Sequence, residues 1–254
     1  MSQKTRKRRD EITKIVISEG QVKVKELAKQ LNVSTETIRK DLHYLDMMGV
    51  ISKSHGGASV INEYFQLPID VKLQENLDAK KKIARAALDL IEDNSLIYLD
   101  PGSTCIQIAK LLRVKRNLTV LTNSITIANI VADSSHNVIV CGGMLQKRGK
   151  ALVGIYAIDV IKTIHIDTAI MGSDGFKDMN GFTTFSLEEA EIRKTIVSSS
   201  DVNIVVCDAS KFNKTSTYIF GKFSDYDYLV TDEDDAKKLK QVSGIKKIIS
   251  VRSE

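Results

Sequence analysis

Five clusters of small, hydroxylated and acidic residues recur between residues 100 and 211. They are Asp100-Pro101-Gly102-Ser103-Thr104, Thr122-Asn123-Ser124, Cys141-Gly142-Gly143, Gly172-Ser173-Asp174-Gly175 and Asp208-Ala209-Ser210-Lys211. Each follows a short apolar run. Gly102 permits a tight turn, Ser103 and Thr104 bring hydroxyls, and a helix starting there presents unbonded N–H groups, a combination suited to an anion. Lys211 adds a cation, and the carboxylates of Asp100 and Asp174 are acceptors for ligand hydroxyls. Such residues also build ordinary turns; their recurrence at the same point of successive units is what singles them out. Hydroxyls, a helix end and one lysine suit a small phosphorylated sugar or polyol. Neither G-x-G-x-x-G nor a loop ending in G-K-[ST] occurs, so neither a dinucleotide nor a nucleoside triphosphate is indicated.

A second set lies near the N-terminus: Ser34, Thr35, Thr37, Arg39 and Lys40 in one stretch, Lys53 and His55 in another. Arginine pairs with guanine O6 and N7, threonine hydroxyls reach bases or phosphates, and lysines hold the phosphate backbone without reading sequence. The elements that would position this set are short. Ile12, Ile15 and Val16 give residues 7–18 a helical stripe, which Gly20 can end. A second helix fits 24–30, with Leu27 and Ala28 inward. Asn32-Val33-Ser34 makes a turn in which Ser34 can cap the next helix, 35–47. That helix puts Ile38, Leu42 and Leu45 on one face and Glu36, Arg39, Lys40 and His43 on the other. Residues 49–58 read as a small hairpin, or wing. The whole is a winged helix-turn-helix head over residues 1–58 that binds double-stranded DNA, with Lys25 and Lys29 as further backbone contacts. Arg6 to Arg9 form either a basic arm on the DNA backbone or a charged, solvated terminus.

Residues 59–74, with Pro68, have no strong period and read as a connector. Residues 75–254 form a larger α/β domain for effector sensing and oligomerisation. Its first helix, 75–91, buries Leu77, Ile83, Ala84, Ala87 and Leu88. Apolar runs at 96–99, 118–122, 138–140, 168–171, 204–207, 228–230 and 247–249 then alternate with helical patterns at 104–112, 125–133, 154–161, 187–199 and 235–241. That alternation predicts a mostly parallel sheet with helices on both faces. In such a sheet the ligand lies beyond the C-terminal ends of the strands, where all five clusters fall.

Composition narrows the partners. Residues 1–60 hold 12 Lys or Arg against 7 Asp or Glu, and the remainder holds 25 of each, so only the N-terminal end calls for an anionic partner. Cys105, Cys141 and Cys207 are far apart and the four histidines show no ligand spacing. Buried reduced thiols are expected, with no metal, disulfide or cofactor. No stretch approaches the run of about 18 to 20 apolar residues that crosses a membrane. The basic start is not followed by an apolar run, so it does not read as a secretory signal, and a cytoplasmic address is expected.

The sequence resembles the DeoR family of bacterial transcription regulators over nearly its whole length. The head matches through Gly20, Val24, Glu26-Leu27-Ala28, Val33-Ser34, Thr37-Ile38-Arg39-Lys40-Asp41-Leu42, Leu45, Gly49 and His55-Gly56-Gly57-Ala58. The remainder matches through the polar clusters, the stretch 189–194 and Phe212. Lys40 stands where the family usually has a second arginine, and Ser173 where it often has alanine. The resemblance implies a homodimer or higher homo-oligomer, usually a repressor of an operon for a sugar or related compound, relieved by a phosphorylated intermediate. It also implies a sensor domain similar to sugar-phosphate isomerases. An isomerase carrying a DNA-binding head is therefore a competing reading, with Asp174 and Glu188 or Glu189 as candidate bases, although Gly175-Phe176 stands where those enzymes have a second carboxylate. An activator would need the same head, and an architectural DNA-binding protein without a ligand would leave the polar strand ends unexplained.

Overall fold

Isoleucine and valine at helical spacing start the first unit. In the computed structural model, which describes residues 3–54, 56–59 and 67–251, helix α1 (Gln3–Glu19) buries Ile12, Ile15 and Val16. It begins before the predicted 7–18, because arginine and lysine are good helix formers and the basic run continues the helix. Gly20, at φ 74°, ends it, with its N–H on the Val16 carbonyl. Strand β1 (Gln21–Lys23), helix α2 (Val24–Gln30) and helix α3 (Thr35–Met47) follow, then strands β2 (Ser52–Ser54) and β3 (Gly57–Ser59). These strands form an antiparallel sheet in the order β1-β3-β2. The wing therefore has a third strand that sequence patterning does not show, since β1 buries one residue, Val22. A side chain at position 57 would drive its Cβ into the Val22 carbonyl oxygen, so only glycine lets β1 and β3 approach. Ile12, Val16, Leu27, Ile38, Leu42, Leu45 and Ile51 form the core of the head.

The chain divides into two units, Met1–Val71 and Lys72–Glu254. The boundary falls within helix α4 (Ile69–Lys72). Helix α5 (Leu77–Leu88) starts later than the predicted 75, because Asn76 is left-handed at φ 49°. Beyond it come β4 (Leu96–Leu99), α6 (Ser103–Ala109), β5 (Thr119–Thr122), α7 (Ile125–Ala132), β6 (Asn137–Val140), β7 (Met144–Gln146), β8 (Ala151–Val153) and α8 (Ile155–Lys162). The remaining elements are β9 (Ile166–Met171), β10 (Gly181–Thr184), α9 (Leu187–Ser198), β11 (Ser200–Val206), β12 (Tyr218–Lys222), β13 (Tyr228–Thr231), α10 (Ala236–Leu239) and β14 (Lys247–Ser250).

The seven predicted runs are the seven strands of one parallel sheet, ordered β14-β13-β11-β9-β4-β5-β6. From β4 the chain moves outward one way through α6 and α7, and from β9 the other way through α9. Right-handed crossovers running in opposite directions put their helices on opposite faces of the sheet. The strand order reverses between β4 and β9, which is where such sheets open a crevice. Two antiparallel pairs, β7 with β8 and β10 with β12, sit outside the sheet. Phe182 on β10 packs edge-to-face on Phe176 and Tyr226, with ring centroids 5.1 and 5.0 Å away. The three cysteines are buried and unpaired. Burial pushes all three thiols up, that of Cys141 to about 11, which keeps them protonated and unreactive. Among the described residues no helix is long and apolar enough to cross a membrane.

Candidate DNA interface and effector site

Ser34 occupies the N-cap of α3: its Oγ accepts from the Thr37 N–H at 3.1 Å and lies 2.9 Å from the Thr37 hydroxyl. Ser34, Thr35, Arg39, Lys40 and His43 face solvent, and Thr37 is half-buried. Arg39 touches Glu36 at 3.8 Å, an exposed contact that leaves the guanidinium able to leave for a better acceptor. Lys53 is exposed on β2, as are Lys25 and Lys29 on α2. His55 lies outside the described residues.

The inward side of α3 carries a buried acid with no predicted role. Asp41 is 1% exposed, and its two oxygens accept from Arg8 Nε at 2.6 Å and Arg9 Nε at 2.7 Å. The Arg9 guanidinium also stacks 3.7 Å from the centre of the Tyr44 ring. Arg8 and Arg9 are therefore neither a DNA-seeking arm nor a solvated terminus. They tie α1 to α3. The available signal was Asp41 itself, beside Leu42 in the apolar stripe, because a buried carboxylate requires a cation.

In the α/β unit the strand ends after β4 and β9 meet at the reversal of strand order. Asp100 is almost wholly buried, and Arg193 of α9 bonds it bidentately, Nε to Oδ1 at 3.0 Å and Nη2 to Oδ2 at 2.9 Å. The Gly172 N–H donates to the same carboxylate. Asp100 is thus committed internally instead of being open to a ligand hydroxyl. Arg193 is held fully protonated; burial opposes its charge, but Asp100, Glu189 and Asp174 outweigh it. Its Nη1 is buried without a hydrogen-bond partner among the described residues.

The Thr122-Asn123-Ser124 cluster is equally committed. Thr122 Oγ1 donates to the Leu99 carbonyl, Asn123 accepts from Tyr98 and donates to the Leu152 carbonyl, and Ser124 caps α7. Gly142 and Gly143 are exposed at the edge of the sheet. Gly143, at φ 129°, would put a Cβ 2.5 Å from the Val153 carbonyl oxygen, so it serves the β7–β8 hairpin. Ser173 bonds the Gly175 and Thr183 carbonyls.

Asp174 is different. Oδ1 accepts from Lys72 Nζ at 2.6 Å, and the Thr184 hydroxyl lies 3.2 Å from Oδ2 and 2.5 Å from Glu189 Oε2. Burial pushes this carboxyl up, but Lys72, Arg193 and Lys211 outweigh it and hold it at about 2. Lys211, half-buried, makes no side-chain hydrogen bond or ion pair among the described residues. Burial and the neighbouring Lys72 push its ammonium down, against the pull of Asp174 and Asp208. Lys80 is 2% exposed and donates to the Lys72 and Glu75 carbonyls; burial lowers it to about 8. Asp208 accepts from Asn76 and from the Ser210 N–H. A cavity of about 290 Å³ opens at Asp208, lined also by Asn76, Asp78, Ser210 and Asp232 among others. Asp174 and Lys211 could be found from sequence as strand-end residues, and Arg193 only as part of the stretch 189–194 that carries the family resemblance; Lys72 and Lys80 could not, because they stand on a connector and a helix, away from any strand end.

The hydroxyls of Ser103 and Thr104, at the start of α6, also make no side-chain hydrogen bond among the described residues. At the N-terminal ends of β9 and β11, His165, Asp167 and Asp201 bring ligand-type atoms within 4.8 Å of one another, a grouping that sequence spacing does not show. All three are exposed; His165 bonds Asp201, and Asp167 accepts from the Leu96 N–H.

A head whose recognition helix turns Arg39 and Lys40 to solvent, and an α/β unit with a charged site at its strand reversal, together define a DNA-binding regulator with a sensor domain. Comparison with known families agrees. Residues 8–64 match the DeoR-like helix-turn-helix domain and residues 75–233 the DeoR C terminal sensor domain. The chain belongs to the DeoR family, in which the α/β unit is a sensor and not a catalytic domain. The lactose phosphotransferase system repressor of Staphylococcus epidermidis is 31% identical over 248 residues, covering 96% of this chain and 98% of that one. The glycerol-3-phosphate regulon repressor of Escherichia coli is 28% identical over 240 residues, covering 94% and 95%. Among solved structures, ribose 5-phosphate isomerase A from Methanocaldococcus jannaschii aligns with a TM-score of 0.40 and 16% identity, over 54% of this chain and 55% of that one.

Proposed function

We propose that the protein is a sequence-specific transcriptional repressor of a carbohydrate-utilisation operon, binding operator DNA as a homodimer or higher homo-oligomer and released by a phosphorylated sugar or polyol. Thr35, Thr37 and Arg39 read base edges, and Lys40, Lys53 and His55 hold phosphates, while Ser34 fixes the start of the helix that carries them. Two of the relatives are named as repressors of a lactose phosphotransferase system and of a glycerol-3-phosphate regulon, which supports both the regulatory direction and the ligand class.

The observation that carries the sensing half is Lys211. A half-buried ammonium that makes no hydrogen bond or ion pair among the described residues, and is pushed below its ordinary value despite Asp174 and Asp208 nearby, suits an incoming anion. A phosphate supplies that anion. Ser103 and Thr104 offer uncommitted hydroxyls, Asp174 accepts from the polyol, and Gly102 and Gly175 keep the backbone close to it. Asp100, Thr122, Asn123, Ser124 and Gly143 shape the surrounding strand ends through the internal contacts described above, with Gly142 exposed beside them.

Calorimetric titration of the full chain with glycerol 3-phosphate, hexose 6-phosphates and the same compounds without phosphate tests this. Binding of a phosphorylated member, weakened at least tenfold by Lys211→Met, is the expected result. Binding that ignores the phosphate, or that survives Lys211→Met unchanged, removes Lys211 from the site.

A further inference from the structure

The boundary between the two units falls inside α4, and neighbouring residues there serve different ends. Val71 packs on the apolar core of the head, as Leu31 and Val33 also do. Lys72, the next residue, begins the sensor unit, and its ammonium is the closest partner of Asp174. The backbone of Lys72 is fixed as well, since the buried Lys80 of α5 donates to its carbonyl and to that of Glu75. No residue separates the piece anchored in the head from the piece anchored in the site.

Asp174 is only 9% exposed, so a ligand hydroxyl approaching its carboxylate crowds Lys72 or Thr184. Thr184 is completely buried and also bonded to Glu189, and it has nowhere to go. Lys72, 15% exposed and on a flexible four-carbon stem, is the partner that can leave. We propose that the Lys72–Asp174 pair is a ligand-displaced lock: a polyol phosphate taking Asp174 frees Lys72 and loosens the segment leading out of the head. This rests on the effector reading above and adds how the site reports its occupancy. A ligand shifts the operator equilibrium only through such a difference between the two states, and the head, held on DNA, favours the locked pair by the same factor. The freed ammonium, together with Lys211, is then available to the ligand phosphate.

The test uses the full chain without ligand. Lys72→Met, Asp174→Asn, the double variant and Lys72→Arg are compared with wild type by amide exchange of residues 69–76 and by affinity for a DNA fragment upstream of the protein's own gene. Each single variant is expected to speed exchange in that segment and to weaken operator binding by about fivefold or more. The double variant should do no more than the larger single, and Lys72→Arg should stay near wild type, which separates a lost ion pair from a misfolded chain. Wild-type exchange in Asp174→Asn, additive effects in the double variant, or looser exchange with unchanged operator affinity each overturn the lock. Failure of the effector reading looks different. A wild-type protein whose operator affinity ignores inorganic phosphate, glycerol 3-phosphate and hexose 6-phosphates defeats that reading, while a shared shift in the variants still upholds the lock.

Discussion

Replacing Asp41 by alanine and replacing both Arg8 and Arg9 by alanine remove the same two hydrogen bonds, but their costs should differ. A hydrogen bond to a charged group contributes about 1.5–3 kcal/mol when its partner remains buried. In Asp41→Ala the groups left behind are two arginine side chains already 17% and 15% exposed, which can turn to water. The buried carboxylate, with its desolvation cost, is gone, so the net loss should be about 2 kcal/mol. In Arg8→Ala/Arg9→Ala the carboxylate stays, 2% exposed and without a cation, and a buried charge stripped of its partner costs about 3–5 kcal/mol. Loss of the Arg9–Tyr44 stack adds to that. For a unit of this size each kcal/mol moves the melting temperature by about 4–8 °C. The head should therefore melt about 10 °C lower in Asp41→Ala and at least about 15 °C lower in the double variant. Calorimetry of the full chain, with amide exchange of α3 peptides to assign the transition to the head, measures both. Operator affinity should fall with them, because the clamp ties α3 to α1. If Asp41→Ala costs as much as the double variant, or if neither moves the head transition, the clamp is not what holds α3.

Arg39→Ala should cost about 1–3 kcal/mol of discrimination between operator and random DNA, read by competition binding at fixed salt; equal weakening on both DNAs would make Arg39 a phosphate contact. Gly175→Ala should lower the melting temperature of the sensor unit by about 5 °C or more through roughly 2 kcal/mol of strain. Gly175 sits at φ 155° with its would-be Cβ running into the Lys214 carbonyl, so backbone has to move. An unchanged melt would show that the turn yields easily. Asp174 titrates at about 2 in the folded chain against an ordinary value of 3.8. Its contribution to stability is thus full above about pH 4 and lost as the pH falls toward 2. The acid limb of the sensor's stability curve should be flatter in Asp174→Asn over that window, and identical limbs would count against the ion pair.

Much of the architecture is legible because apolar periodicity is strong where elements are buried on one or both sides. The runs at 96–99 and 204–207 are continuous and apolar because both faces of a parallel strand are covered. Strands β1, β7, β8, β10 and β12 have no such signature, since they are only three to five residues long and all but β8 are interrupted by polar or glycine positions. The recognition helix is legible from Ser34 and its apolar stripe, whereas its clamp is not: nothing in local sequence says that Arg8 and Arg9 reach across to Asp41, 33 and 32 positions away. The site divides the same way. Strand-end residues can be found by position, but which of them retain free polar groups is decided by tertiary partners. Arg193 neutralises Asp100 across 93 residues and Lys72 reaches Asp174 across 102, so the two carboxylates that look alike in sequence end in different states.

Operator recognition and the sensing of a phosphorylated carbohydrate within one chain are tested most directly by binding to DNA fragments surrounding the protein's own gene, titrated with sugar and polyol phosphates at fixed salt. Specific binding that one phosphorylated compound releases at micromolar to low millimolar concentration, while its unphosphorylated form does not, is the predicted result. Specific binding that no phosphorylated compound alters, or release by the unphosphorylated sugar alone, would contradict it.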